Sequence, residues 1–324
     1  MNNLFNLILI FVFCFLLVKA TDILIINFKA LSQKTRLRQF ALTGLILGLA
    51  TSLPELFVGL SAAFEGESVL SLGNVIGANI VNLSLVIGGA ALIGGTVMVG
   101  GTFLRRDVFY AFLAATSPML LLSDRILSRI DGLILLVLYV FYQLAIFSEH
   151  PGKDEKKEDK QERLLRKFDY APIRKASKEV AWVFFGIALL LFSADALVRI
   201  AVKFAAAFNI SLLLIGLLVI SVGTTLPELV FEIEALRKRQ SNMAFGNLLG
   251  SIVANGTLII GLVALISPIR IQNLNSYLVS TMAFLLIFGL FYLFIRTKRR
   301  LSRWEGLALL LVYLIFVVVE FRVF

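Results

Sequence analysis

Two glutamates offer the clearest chemistry in this sequence. Glu55 and Glu228 lie deep in apolar stretches and follow a proline in the segments TSLPEL and TTLPEL. A charged side chain inside a membrane-spanning helix costs about 3 kcal/mol or more, so it marks a functional site. The proline removes one backbone donor and frees a carbonyl about four residues back, near Ala50 and Gly223. Carboxylate and carbonyl oxygens are the ligands that hard cations prefer.

Neutral oxygen ligands accompany both glutamates. Two hydroxyl residues precede each one: Thr51 and Ser52 in the first segment, Thr224 and Thr225 in the second. A threonine four residues before a glutamate lies on the same helical face. A second motif places residues at a spacing of four on two further helices: Asn74, Ala78 and Asn82, and Asn247, Ser251 and Asn255. The combined set offers the roughly six to eight oxygens that Ca2+ takes.

Helix packing is the alternative interpretation of these residues, because Ser, Thr, Asn and Gly are common between membrane helices. We favour it for the glycines of the two GxxxG pairs, which are Gly73, Gly77, Gly246 and Gly250. We reject it for the two glutamates, since packing needs no carboxylate.

The two glutamate segments belong to an internal repeat. The sequence from Thr51 matches the sequence from Thr224 without a gap, and the same offset of 173 residues relates Asp22 to Asp195. Five predicted spans separate equivalent positions, so the second copy is predicted to be inverted. Inverted repeats are typical of transporters with a binding site near the middle of the bilayer.

Composition places the chain in a membrane. Of its 324 residues, 59% are hydrophobic and 16% are charged, which is unusual for a soluble domain. Apolar stretches long enough to span a bilayer are predicted at 4–28, 40–64, 69–98, 107–122, 131–148, 179–207, 211–236, 243–267, 275–295 and 304–322. The predicted fold is an all-α polytopic membrane protein of ten transmembrane helices. They form two inverted five-helix repeats, 1–148 and 179–324, joined by a charged cytoplasmic linker at 149–178.

The basic residues set the orientation and exclude some functions. The net charge is +10, but 24 of the 31 Lys and Arg residues lie in alternate loops, as in cytoplasmic loops of membrane proteins. Both termini are therefore predicted to be extracytoplasmic, and nucleic acid is not an expected partner. The chain has one cysteine, Cys14, and one histidine, His150, so neither an intrachain disulfide nor a histidine metal site is expected. No cofactor is predicted, and an intramembrane hydrolase is disfavoured because no predicted span contains a histidine.

The motifs TSLPEL with GNVIGANIVN, and TTLPEL with GNLLGSIVAN, resemble the paired alpha-repeats of the cation/calcium exchanger superfamily. They are closest in style to prokaryotic sodium/calcium exchangers. The resemblance implies that the first span of each half slides across a core of glutamate-bearing helices and their partners. It also implies that the ion sites are formed by Thr51, Ser52, Glu55, Asn82, Thr224, Thr225, Glu228, Ser251 and Asn255, with backbone oxygens near Gly48 and Ser221.

Some residues depart from the family pattern. Ala78 stands where the family usually has a serine, and Ile252 replaces the usual asparagine after Ser251. Asn82 and Asn255 leave only two acids in the core, which weakens the case for K+ coupling.

Three further acids have open roles. Glu232 lies one turn after the second glutamate, and we expect it to extend towards Arg237 at the membrane surface. The alternative is a third acid in the access path. Asp22 and Asp195 are expected to cap a helix, pair with a lysine, or lie along the path of the ion.

These features predict a secondary antiporter, not an enzyme, that exchanges Ca2+ for Na+ by alternating access. Exchange of Ca2+ for H+ on the same scaffold is the alternative, because a glutamate pair carries protons as readily as Na+. A passive channel is disfavoured by the inverted repeat. The expected partners are the ions and the lipid bilayer of a prokaryotic cell membrane, with no obligate protein partner.

Overall fold

A computed structural model describes residues 3–35, 51–98, 107–149, 177–271 and 274–323, which are mostly helical. In the first part of the chain the elements are α1 (Asn3–Thr35), α2 (Leu53–Phe64), α3 (Ser68–Val81, a π-helical segment Asn82–Val86, and Ile87–Gly94), β1 (Val97–Met98), α4 (Asp107–Leu121), β2 (Ile126–Leu127) and α5 (Arg129–Glu149). A single 3-10 turn, Leu122–Asp124, follows α4.

The second part of the chain contains six helices and two short strands among its described residues. They are α6 (Ser177–Phe208), α7 (Leu212–Ile215, a π-helical segment Gly216–Ile220, and Ser221–Thr224), α8 (Leu226–Arg237), α9 (Ser241–Val253, a π-helical segment Ala254–Ile259, and Ile260–Ile266), β3 (Ile269–Arg270), α10 (Leu274–Lys298), β4 (Arg300–Leu301) and α11 (Arg303–Val323).

Membrane insertion follows from helix length and from the outer surface. Within the described residues, seven spans are long and apolar enough to cross a bilayer: Phe5–Asn27, Ser68–Gly94, Lys178–Phe208, Leu212–Arg237, Ser241–Ile266, Leu274–Thr297 and Arg303–Arg322. Large apolar side chains such as Phe11, Phe141 and Phe184 point outwards. So much exposed apolar surface requires a lipid environment.

Three of the ten predicted spans are not among these seven. The predicted span 40–64 lies partly outside the described residues, and its described part is the 12-residue helix α2. The predicted span 107–122 corresponds to α4, which has 15 residues and contains Pro118. The predicted span 131–148 corresponds to α5. The count of ten and the two-repeat division remain predictions, and residues 150–176 of the predicted linker lie outside the described residues.

The core is built by close contact between helix backbones. A Cβ atom added at Gly73 or Gly77 of α3 would collide with a backbone carbonyl of α7, and one at Gly216 of α7 would collide with the carbonyl of Leu70. Only glycine permits this approach between α3 and α7. The packing interpretation is therefore confirmed for Gly73 and Gly77, but it is wrong for Gly246, where an added Cβ atom would meet no atom of the described residues within 4 Å.

The long helices α1 and α6 pack against each other beside this core. Cys14 of α1 is buried against Gly223 of α7, where an added Cβ atom would lie 2.8 Å from the Cβ atom of Cys14. The α1–α6 pair therefore contacts α7 immediately before Thr224.

Elements from opposite ends of the chain also pair. Strand β1 is antiparallel to β4, and β2 is antiparallel to β3. Helix α3 meets α11 at Gly88 and Gly306, where an added Cβ atom at either residue would lie 2.8 Å from the carbonyl oxygen of the other. Helix α5 meets α9 in the same way at Gly132 and Gly261, with corresponding distances of 2.8 and 2.9 Å.

Candidate cation-binding site

Two interrupted helices position the glutamates. Ser52, before α2, has φ −86° and ψ 9°, and Thr225, before α8, has φ −87° and ψ 5°. Both values lie in the sparsely populated region between helix and strand, where many active-site residues occur. A proline then opens each helix, a position that needs no backbone donor. Glu55 and Glu228 thus lie in the first turn of their helices, where the helix dipole favours a negative charge.

The structure brings the two glutamates together inside the protein. Both are 0% exposed, and none of their carboxylate oxygens has a hydrogen-bond partner within the described part of the chain. The carboxyl groups of Glu55 and Glu228 lie within electrostatic range of each other. Thr224 lies beside Glu55, and Thr51 lies beside Glu228. Each glutamate therefore neighbours a hydroxyl residue from the opposite segment.

Hydrogen bonds connect the two segments. The Thr51 hydroxyl donates to Oδ1 of Asn247 over 3.0 Å and lies 3.3 Å from the Ser251 hydroxyl. The Thr224 hydroxyl donates to Oδ1 of Asn74 over 3.2 Å. All five residues are buried. The threonine of each segment therefore donates a hydrogen bond to an asparagine from the other copy of the repeat.

The π-helical segments bring two more asparagines to the glutamate helices. The segment Asn82–Val86 contacts α8, and the segment Ala254–Ile259 contacts α2. Such local widenings of a helix occur often at functional sites. Neither amide atom of Asn82 has a hydrogen-bond partner in the described structure, nor does Oδ1 of Asn255. These amide oxygens are free to bind a cation.

Two predicted residues use their hydroxyls within their own helix. Thr225 donates to the carbonyl of Ser221 over 2.7 Å, and the Ser221 hydroxyl donates to the carbonyl of Leu217 over 2.6 Å. The Ser221 carbonyl also accepts from Thr224 over 3.2 Å. The Ser52 hydroxyl is buried and has no partner in the described part of the chain. Gly48 lies outside the described residues.

The ligand set that the family resemblance implies does not include three asparagines of the site. Asn74 and Asn247 hold the two threonines, and their equivalence across the repeat was the available signal. Asn79 accepts a hydrogen bond from Nδ2 of Asn255 over 3.0 Å and donates to the carbonyl of Ile252 over 3.5 Å. The signal for Asn79 was that Ile252 occupies its equivalent position in the second copy.

The prediction for Glu232 is wrong. Its side chain is 0% exposed, and so it does not extend to the membrane surface beside Arg237. It faces the interior next to Asn247, within electrostatic range of Glu228.

The two aspartates form surface ion pairs. Asp22 pairs with Lys19 at 3.5 Å, as one of the predicted alternatives proposed. Asp195 pairs with Arg199 at 3.1 Å, and Arg199 also reaches Glu65 at 2.7 Å.

The residues fit a hard cation. Among the described residues, the predicted ligands with unpartnered side-chain oxygens are Ser52, Glu55, Asn82, Glu228 and Asn255. Buried polar atoms are normally paired, and oxygen atoms of these types are ligands for Ca2+ and Na+. In the described ranges, no three His, Cys, Asp or Glu side chains form a group that could hold a metal ion. The site combines two carboxylates with neutral oxygens.

Known proteins are similar to this chain in sequence. The family described as sodium/calcium exchanger protein matches residues 5–148 and 178–322. The inner membrane protein YrbG of Escherichia coli (strain K12) is 34% identical over 73% of this chain and 74% of that protein. The sodium/calcium exchanger MaX1 of Methanosarcina acetivorans is 26% identical over 95% of this chain and 96% of that protein.

A solved structure has the same fold. It is that of the sodium-calcium exchanger NCX_Mj soaked with 10 mM Na+ and zero Ca2+, which is 24% identical. The match covers 96% of this chain and 99% of that chain, with a TM-score of 0.62. The family match spans nearly all of the sequence and includes both glutamate segments. This chain therefore belongs to the sodium/calcium exchanger protein family.

Proposed function

We propose that this protein moves Ca2+ across the membrane in exchange for Na+, with Glu55 and Glu228 as shared ligands of the Ca2+. The observation that carries the proposal is the pair of buried, interacting carboxylates whose oxygens have no hydrogen-bond partner in the described structure. Two carboxylates balance one divalent charge, and a buried charge without a counter-charge is strongly unfavourable. The oxygens of Ser52, Asn82 and Asn255 complete the set, together with the hydroxyls of Thr51, Thr224 and Ser251.

Alternating access is part of this proposal because the site is buried. Each of these ligands is at most 2% exposed, so an ion enters or leaves only when helices move. The α1–α6 pair is the moving element in our proposal, because it packs beside the core and contacts α7 next to Thr224. The names of the exchangers MaX1 and NCX_Mj support Na+ as the counter-ion. The proposed location is a prokaryotic cell membrane with both termini outside the cytoplasm.

Calcium flux in proteoliposomes tests this function. Uptake of radiolabelled Ca2+ is measured under an outward Na+ gradient, under a pH gradient of matched driving force, and without a gradient. We expect uptake only with the Na+ gradient, and we expect Glu55→Gln and Glu228→Gln to abolish it, because each removes one of the two charges that balance Ca2+. Glu234→Gln is the matched control, since this glutamate lies on the same helix as Glu228 but is exposed and pairs with Lys238.

The outcomes separate the alternatives. Uptake driven by the pH gradient alone would assign H+ as the counter-ion and refute the Na+ part of the proposal. Uptake without any gradient would indicate a channel. Normal uptake by either core variant, with Glu234→Gln also normal, would remove the glutamate pair from the site.

A further inference from the structure

Glu232 is a third acid inside the protein, and the other segment has no equivalent. It is 0% exposed, and neither carboxylate oxygen has a hydrogen-bond partner among the described residues. It lies one turn after Glu228, whose charge interacts with it, and beside the amide of Asn247. The equivalent residue, 173 positions earlier, is Gly59.

The packing around Gly59 explains why only one segment holds an acid here. A Cβ atom on Gly59 would lie 2.9 Å from the Ser71 hydroxyl, 3.1 Å from Ile259 and 3.2 Å from Val263. No side chain fits in that space without displacing these neighbours.

The equivalents of those three neighbours are smaller. Ala244 corresponds to Ser71, Val86 to Ile259 and Ala90 to Val263, and all three are buried. Helix α8 packs against the two helices that carry them, α9 and α3. The second segment therefore has additional volume at the position of Glu232, and this volume holds a carboxylate.

The charges around Glu232 leave its own charge unbalanced. No basic side chain forms an ion pair with it in the described ranges; the only charged group found to interact with it there is Glu228, which has the same sign. One Ca2+ balances Glu55 and Glu228, so a third carboxylate leaves one negative charge in the membrane interior. Such a charge costs several kcal/mol or more unless a cation accompanies it.

We propose that Glu232 binds one additional monovalent cation, Na+, next to the Ca2+ site. This inference rests on the proposed function, because it takes Ca2+ as the ion that balances the other two glutamates. A monovalent ion matches the single charge of one carboxylate. The Asn247 amide, held by Thr51 of the central site, places this second position beside the first.

Two measurements on purified protein in detergent test the inference. Binding of radiolabelled Na+ without Ca2+ counts the bound Na+ ions, and infrared spectroscopy detects a protonated carboxyl group by its carbonyl stretching band. Glu232→Gln is expected to bind one Na+ fewer than the wild type and to lose no protonated-carboxyl band. Its half-saturating Ca2+ concentration stays within about threefold of the wild type, less than 1 kcal/mol, because both Ca2+-balancing carboxylates remain.

Controls keep the result interpretable. Glu234→Gln, two residues away and exposed, changes neither readout. Glu232→Gly, which matches Gly59, gives the same result as Glu232→Gln, and gel filtration verifies that each variant is folded. Wild-type Na+ stoichiometry in both Glu232 variants would overturn the inference, and so would the loss of a protonated-carboxyl band in both, which would show that Glu232 is neutral. Neither readout requires Ca2+ transport, so failure of the proposed function would appear separately, as normal uptake by Glu55→Gln.

Discussion

Thr224 and Thr225 provide a sharp test of which hydroxyls serve the cation site. They are adjacent, and both are buried. The Thr224 hydroxyl lies 3.2 Å from two acceptors, Oδ1 of Asn74 in the opposite segment and the carbonyl of Ser221, and it lies beside Glu55. The Thr225 hydroxyl donates to the Ser221 carbonyl of its own helix over 2.7 Å. Valine keeps the branched shape of threonine and removes the hydroxyl, so Thr224→Val and Thr225→Val are a matched pair.

The expected effects differ by about an order of magnitude. Removing the Thr224 hydroxyl leaves Oδ1 of Asn74 without this donor, while Nδ2 of Asn74 already lacks a partner among the described residues. A buried polar atom without its partner costs about 1–3 kcal/mol. If about 1–2 kcal/mol of this appears in cation affinity, half-saturation for Ca2+ rises roughly 5- to 30-fold. In Thr225→Val the Ser221 carbonyl still accepts the backbone N–H of residue 225 over 3.1 Å, so the expected change is less than about threefold.

Concentration-dependent uptake of radiolabelled Ca2+ into proteoliposomes measures both values under the same Na+ gradient. Protein content and thermal stability of each variant are determined in parallel, so that loss of folded protein is not counted as loss of affinity. Equal effects of the two substitutions, or a larger effect of Thr225→Val, would refute the assignment of Thr224 as the hydroxyl that serves the site.

Three further outcomes follow from packing and charge. Gly77→Ala forces a Cβ atom into a carbonyl of α7. It should lower the melting temperature in detergent by 5 °C or more, which corresponds to a loss of stability of about 2 kcal/mol. Gly89→Ala should be tolerated, because its added Cβ atom meets only an ordinary contact at 3.5 Å. Arg199→Gln removes two exposed ion pairs, with Asp195 and Glu65, and should shift the melting temperature by less than about 3 °C, because exposed pairs contribute little to stability; a larger shift would contradict this reading of the two pairs. Asn255→Asp replaces the donor to Asn79 by an acid and should destabilise the ion-free protein by about 1–3 kcal/mol. Added Ca2+ should restore more stability to this variant than it adds to the wild type, and melting curves with and without Ca2+ would show the difference.

The sequence predicted the main features of the site because charge and proline inside apolar stretches have few structural explanations. Glu55 and Glu228 are cases of this kind, and the structure places both inside the protein with interacting charges. The α3 glycines were predictable for a similar reason, since Gly73 and Gly77 form a recognised motif for close helix contact.

Residues whose role depends on a neighbour's size could not be predicted in the same way. The position of Glu232, one turn after Glu228, is compatible both with a side chain that extends to the surface and with a buried one. The small size of the neighbouring residues in its segment makes room for the buried side chain. Thr225 has the same type as Thr224, but the turn before α8 directs its hydroxyl to Ser221. The hydrogen-bond partner of Asn79 is Asn255, which lies on a helix far away in the sequence. These outcomes are decided by tertiary packing, which single-sequence patterns do not contain.

The pairing of distant elements constrains how the protein is made in the cell. The end of α3 packs against α11 at Gly306, and β1 pairs with β4. Both partners leave the ribosome after α3 and β1, because they lie about 200 residues later in the chain. During translation, the surface of α3 around Gly88 is therefore not covered by α11 until that later helix inserts. A stop codon before α11 would leave this face permanently open and should mark the truncated chain for degradation by membrane quality control.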